Sequence, residues 1–229
     1  PVIYGKGLDK NDTYLWLKNY ISAYLQRDLR DLARINDLDS FIKAEKALAS
    51  RSGRLVNYSD VARLSGVSPA TSRKYMNYLE LSYQVFELTS FSRNMDKRLS
   101  KMSKCIFSDI GVVRALLQGE DISFGCIFET FVISEIIKQV RSWRDDVRFH
   151  HLRTHDGREV DLLIELSDGF FAFEIKSSEK VSRIDARHLD NIESFLDKPV
   201  KGRVVISRDD TVSELSAGVF NVPAAWLLT

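Results

Sequence analysis

Two apolar runs of strand length, Val160–Leu166 and Phe170–Lys176, flank Ser167-Asp168-Gly169 and constrain this chain more than any other segment. Asp-Gly between such runs is a strong hairpin signal, because a type I′ turn needs positive φ at both central residues. With Asp168 and Gly169 in those places, Ser167 faces Phe170, Asp161 faces Lys176 and Leu163 faces Glu174. Side chains alternate along a strand, so Asp161, Glu174 and Lys176 share one face. Glu-x-Lys alone is the ordinary pattern of a solvated strand face, but charges on a hairpin as apolar as this one need a reason. Two carboxylates on one face are able to hold a hard divalent cation such as Mg²⁺. Such a cation polarises a phosphoryl oxygen and activates water, while an adjacent lysine positions phosphate or water.

A fourth member comes from the helical pattern of Ile127–Val140. Ile127, Phe128, Phe131, Val132, Ile133, Ile136, Ile137 and Val140 cover most of the circumference and leave Thr130, Ser134 and Lys138 as the wet side. Glu129 projects between Ile136 and Val140, inside the apolar arc, whereas Glu135 lies nearer its edge. A carboxylate against the core is costly unless paired, neutralised or bound to metal. Glu129 is therefore the preferred fourth member, with a buried Glu–Arg pair as the competing reading.

Upstream, residues 12 to 51 read as two helices, about Thr13 to Ala33 and Leu38 to Ala49. Ser59 is expected to cap a short helix, Gly66 to turn the chain, and Ser68-Pro69 to open a helix from Pro69 to Leu81. This helix-turn-helix pattern would present Thr71, Ser72, Arg73, Lys74 and Asn77 toward phosphates and base edges. Tyr83 to Leu88 and Lys104 to Phe107 are expected as the strands of a wing. The basic loop between them carries Arg93, Lys97, Arg98, Lys101 and, at its end, Lys104, suited to duplex backbone contacts. A purely architectural helix-turn-helix is the competing reading.

The net charge of the 229 residues is only +1, so no overall attraction to nucleic acid is expected, but its distribution is uneven. Residues 57 to 104 carry eight Lys or Arg against four Asp or Glu, and residues 119 to 176 seven against twelve. The acidic segment holds the candidate metal site, and an acidic cleft accepts phosphate only with cations present. Cys105 and Cys126 lack the number and spacing of a disulfide framework and read as reduced thiols of a cytoplasmic protein. No signal peptide or membrane-length apolar run occurs. His150 and His151, on the strand before the hairpin, read as structural. That strand, Arg148 to Arg153, is expected to pair with Val160 to Leu166 through a turn at Asp156-Gly157. A helix with Ile184, Leu189, Ile192, Phe195 and Leu196, a strand from Gly202 to Ser207 and a closing segment from Val222 to Leu228 complete a mixed sheet flanked by helices.

Phe128-Glu129 on a helix, Glu159-Val160-Asp161 opening a strand and Glu174-Ile175-Lys176 on the next resemble the restriction-endonuclease-like PD-(D/E)XK nuclease superfamily. The resemblance implies a catalytic and metal set of Glu129, Asp161, Glu174 and Lys176, with Mg²⁺ or Mn²⁺ as cofactor. Val160 stands where that family has its leading proline. A wider likeness rests on Tyr24-Leu25-Gln26-Arg27-Asp28-Leu29, Asn57-Tyr58, Ser103-Lys104-Cys105-Ile106-Phe107-Ser108-Asp109-Ile110-Gly111 and Phe128-Glu129-Thr130-Phe131-Val132. These are similar to the C-terminal region of a prokaryotic AAA-type ATP-binding family carrying domain of unknown function 4143. The chain has no phosphate-loop motif and begins at Pro1, so it reads as the C-terminal part of a longer protein whose ATPase module lies outside it. The organisation expected is a helical and winged helix-turn-helix domain over 1–118 and a nuclease-like α/β domain over 119–229. The function implied is metal-dependent cleavage of DNA. Two other readings stand beside it: a non-catalytic module recognising DNA or a partner, and regulation of the ATPase through homo-oligomer contacts.

Overall fold

A computed structural model of the chain describes residues 9–26, 37–94, 101–118, 122–144, 146–155 and 157–227. The chain forms two compact units that interleave along the sequence. One comprises Pro1–Ser52, Val56–Phe86 and Phe107–Ile122, the other Gly53–Leu55, Glu87–Ile106 and Ser123–Thr229. The mixed α/β class holds, with most helices toward the N-terminus and the sheet toward the C-terminus. In place of one divide after residue 118, Glu87–Ile106 counts with the sheet.

The first unit is helical. Asp9 caps α1 (Lys10–Tyr20) by accepting from the Asp12 N–H, and a π-helical turn, Ile21–Gln26, follows. The remainder of the long helix expected to Ala33 lies outside the described residues. The next helix, α2 (Leu38–Ala49), buries Phe41, Ala44 and Leu48 at helical spacing. It packs on α3 (Tyr58–Ser65), α4 (Pro69–Leu81) and α5 (Ile110–Leu117), with Phe41 edge-on to Tyr75 at 5.2 Å. Asn57, not Ser59, caps α3: its carboxamide oxygen accepts from the Ser59 and Asp60 N–H groups, two residues earlier than the sequence reading placed the cap. Gly66 ends α3 at φ 73°, a conformation open to glycine, and Ser68 caps α4 with Pro69 in its first turn. The helix-turn-helix reading thus describes this segment well.

The second unit is an eight-stranded mixed sheet. Its strands are β1 (Val85–Ser90), β2 (Lys104–Phe107), β3 (Arg148–Arg153), β4 (Glu159–Leu166), β5 (Gly169–Ile175), β6 (Val200–Ser207), β7 (Ser213–Ser216) and β8 (Val219–Pro223), in spatial order β2-β1-β3-β4-β5-β6-β8-β7. The strands read as a wing are β1 and β2, which extend the sheet because β1 pairs in parallel with β3. The hairpin differs in its turn. Leu166 pairs with Gly169 and Leu163 with Ala172, leaving Ser167 and Asp168 as the loop, neither with positive φ. Gly169 is needed for another reason: a Cβ there would come within 2.7 Å of Pro199 O on the neighbouring strand's approach. The register moves by two residues from the expected one. An even shift keeps every side chain on its face, so Asp161 comes level with Glu174 and the three charged residues still share a side.

Helix α6 (Phe124–Trp143) is capped by Ser123. Of its expected wet stripe, Lys138 is exposed, but Thr130 and Ser134 are buried, each 1% exposed. Small side chains allow close approach there, and a Cβ on Gly53 would sit 3.1 Å from Thr130 Oγ1. The single helix expected over Ile184–Leu196 is a four-residue α7 (Arg183–Ala186), turns and a 3-10 turn, Ile192–Phe195, with Ile184 exposed. Leu189, Ile192 and Leu196 still reach the core, where they join Phe91, Leu163, Phe170 and Ala172.

Glu45 on α2 is fully buried, and neither carboxylate oxygen has a hydrogen-bond partner among the described residues. Burial pushes its carboxyl up to about 8, so it stays protonated when the unfolded chain has ionised. Stability from this site is therefore complete below pH 4.5 and is lost as pH rises toward 8. Glu45→Gln should abolish that loss: in urea unfolding, its advantage over the wild type should grow by about 4 kcal/mol across this window.

Candidate functional site

The face of β4 and β5 that carries Leu163, Phe170 and Ala172 against the core also carries Asp161, Glu165 and Glu174. Each acid has partners. Glu165 pairs with His150 Nε2 at 3.0 Å and Lys198 Nζ at 2.9 Å. Asp161 Oδ2 accepts from the Ile175 N–H at 2.9 Å, which ties this carboxylate to the β5 backbone beside Glu174. Glu174 is 3% exposed; Lys176 Nζ donates to its Oε1 at 2.6 Å, and its Oε2 is buried without a partner among the described residues. Burial, then repulsion from Asp161, push the Glu174 carboxyl up to about 8 despite Lys176. Burial opposes the Lys176 ammonium, but the attraction of Glu174 outweighs it and raises its pKa.

The centre of the cluster is a residue the sequence reading left in a basic loop. Lys104 opens β2, its side chain is 4% exposed, and its Nζ lies 2.9 Å from Glu129 Oε1, 3.3 Å from Asp161 Oδ1 and 3.4 Å from Glu159 Oε1. Burial works against this ammonium, but Asp161 and Glu129 outweigh it and hold its pKa above the ordinary lysine value. Burial, then repulsion from Asp161, push Glu129 up to about 7 despite Lys104. Glu129 thus reaches the site from α6 as expected, but its partner is a lysine. No three His, Cys, Asp or Glu side chains among the described residues stand in a metal-holding arrangement, so a cage that includes Glu129 does not fit. A pair does fit: Mg²⁺ is commonly held by one or two carboxylates with waters and phosphate oxygens, and Glu174 Oε2 is a buried acceptor still open beside Asp161.

The candidate DNA contacts divide between the two units. In the helical unit Arg73, Lys74 and Asn77 are exposed, with Arg73 over the Tyr58 ring and Lys74 over that of Tyr78. Thr71 is half-buried beside Ser68 Oγ. Ser72 is a correction: it is fully buried, its hydroxyl donating to Tyr58 O and Pro69 O, because it faces α3. In the sheet unit Lys101 is exposed, while Arg93 donates to Ser194 O and Leu196 O. Lys97 and Arg98 lie outside the described residues. Both strand histidines have structural partners, His150 bonding Thr89 and Glu165, and His151 bonding Met102 O. Cys105 is buried and Cys126 half-buried, and neither is in a disulfide.

A pocket of about 140 Å³ opens beside the carboxylates, lined by Glu174, Lys176, Ile184, Asp185, Arg187 and His188. At ~30 Å³ per water, it has room for a phosphate-sized group. His188 Nδ1 lies 2.9 Å from Glu159 O; a carbonyl only accepts, so Nδ1 carries the proton and Nε2 accepts from Arg187 Nε at 3.1 Å. Burial lowers the His188 pKa and favours this neutral form. Arg158 holds the wall: Nη1 lies 3.4 Å from Arg187 O, 2.6 Å from His188 O and 2.6 Å from Asp190 O, and the guanidinium stacks over Phe195. Arg158→Ala should cost about 2 kcal/mol by unpairing these carbonyls. Hydrogen exchange should quicken at the amides of residues 187 to 190 more than across β4 and β5.

Comparison with known proteins places the chain among families without assigning chemistry. Residues 1–123 match a domain of unknown function, DUF8612, and residues 124–227 match a second, DUF4143. An uncharacterized protein of Mycobacterium tuberculosis and one of Mycobacterium bovis are each 27% identical over 227 residues, covering 95% of this chain and 49% of the relative. The chain therefore spans about half the length of the curated relatives it matches. No helix among the described residues is long and apolar enough to cross a membrane. With more than half of its length matched by the first domain, the chain belongs to the DUF8612 family and carries a DUF4143 domain over residues 124–227.

Proposed function

We propose that the sheet unit is a metal-dependent phosphodiesterase acting on DNA, joined to a helix-turn-helix that contacts duplex backbone. The observation that carries this reading is Glu174: a buried carboxylate with one open oxygen, beside Asp161, Lys176 and a phosphate-sized pocket. Asp161 and Glu174 would hold Mg²⁺ or Mn²⁺, which supplies Lewis-acid polarisation of a phosphoryl oxygen and a more acidic water. Lys176 presents its ammonium to the scissile phosphate, and Arg187 adds a second positive charge at the pocket wall. His188, neutral and held by Glu159 O, orients Arg187. Glu129 acts through Lys104, which fixes Asp161, and so serves as a positioning residue. Arg73 and Lys74 on α4 contact phosphates. On this reading an AAA-type ATPase module, outside this chain, would be its partner in the full-length protein.

One observation favours a second reading. Lys104 already balances three carboxylates, as a site retired from catalysis and kept for DNA or partner recognition would need. A single experiment separates the two: the chain is incubated with branched, single-stranded and duplex DNA and Mg²⁺ or Mn²⁺, beside Asp161→Ala and Lys176→Ala. Cleavage falling at least a hundredfold in both variants supports the phosphodiesterase. Salt-sensitive binding without cleavage, weakened by Arg73→Ala with Lys74→Ala, supports the recognition module and ends the first reading.

A further inference from the structure

We infer that the Lys104 ammonium occupies a cation position, among Glu129, Glu159 and Asp161, that a second divalent metal would otherwise take. The centre then accepts a single metal, at Asp161 and Glu174; for that pair, though not for Lys104, the inference rests on the reading above. The carboxylates come from α6 and from two positions of β4, and they converge within 3.4 Å of one nitrogen. An ammonium has three donors, and three carboxylate oxygens meet it. The separations of 2.9 to 3.4 Å suit N–H···O contacts and are too long for Mg²⁺, which binds oxygen at about 2.1 Å. That spacing accounts for the lack of a metal-ready trio among the described residues: the acids are held apart by the lysine between them.

Phosphodiester chemistry is served in many enzymes by two metals about 4 Å apart. Here Asp161 belongs to both positions, with Oδ1 toward Lys104 and Oδ2 on the Ile175 N–H beside Glu174. A tethered lysine differs from a second metal in one respect. Chelators cannot remove it, so Asp161 stays aimed in the metal-free protein.

The test is Mn²⁺ stoichiometry by calorimetry and by spin resonance on the whole chain, with Lys104→Met and Lys104→Arg. The wild type and Lys104→Arg should bind one Mn²⁺ and Lys104→Met two, the added site being weaker because the acids must close inward. Mn²⁺ should also raise the melting temperature of Lys104→Met more than that of the wild type. Two sites on the wild type, or no added site in Lys104→Met, would overturn the inference. If Lys104→Met fails to fold, wild-type stoichiometry decides: one site supports it, and two or none overturn it. Wild type without Mn²⁺ beside a Lys104→Met that gains a site would instead sink the phosphodiesterase reading and leave the place of Lys104 standing.

Discussion

A buried ammonium lets acids from separate elements share one end of the sheet. Without Lys104, Glu129 and Asp161 would face each other with little water and pay desolvation and repulsion together, while Glu159, 35% exposed, would add repulsion. The lysine ties the first turn of β4 to α6 and to β2 at the sheet edge, so local folding here depends on long-range charge pairing. Breaking such a set by removing one partner costs far more than the set itself contributes, because the buried charges left behind lose their counter-charge and regain little water. The same logic governs Glu165, which sits among apolar side chains only with His150 and Lys198 beside it.

Legibility in the sequence followed the range of the interaction. The helix-turn-helix was readable because Gly66, Ser68 and Pro69 act within one turn of themselves. The shared face of Asp161, Glu174 and Lys176 was readable because strand parity is local and survives an even shift of register. The turn itself was misread: Asp-Gly suggested positive φ, whereas Gly169 answers to Pro199 across the strand, which no hairpin rule anticipates. Ser72 was taken for a recognition residue by type alone, although it shares a helix face with Tyr75 and Leu79.

Lys104 was the costliest omission, and its cause is physical. Its partners lie 25 to 57 residues away, and a charge is assigned by what surrounds it in space. One signal was present: Lys104 stands directly before Cys105, Ile106 and Phe107, all buried, so a lysine heading so apolar a strand needs a buried partner. Its sequence neighbours Arg93 and Lys101 instead made it look like the last residue of a basic loop. Arg158 and His188 escaped for a similar reason, since their partners are backbone carbonyls, which carry no sequence signature.

Pairing of buried acids with lysine is so consistent in the sheet unit that its one gap stands out. Asp161 and Glu129 share Lys104, Glu165 has Lys198, and Glu174 has Lys176. Among the described residues of that unit, only Glu174 Oε2 is a buried carboxylate oxygen without a partner. Glu45 in the helical unit has two such oxygens, but no opposite charge bonds it, and it lies within a helix core as a neutral acid. Burial raises Glu174 to about 8 as well, so what sets it apart is what surrounds it. It lines a pocket, its other oxygen is held by an ammonium, and a second carboxylate stands close enough to raise its pKa. A carboxylate so placed is destabilised alone and would be relieved by an added cation, which is the electrostatic condition that the proposed metal site requires.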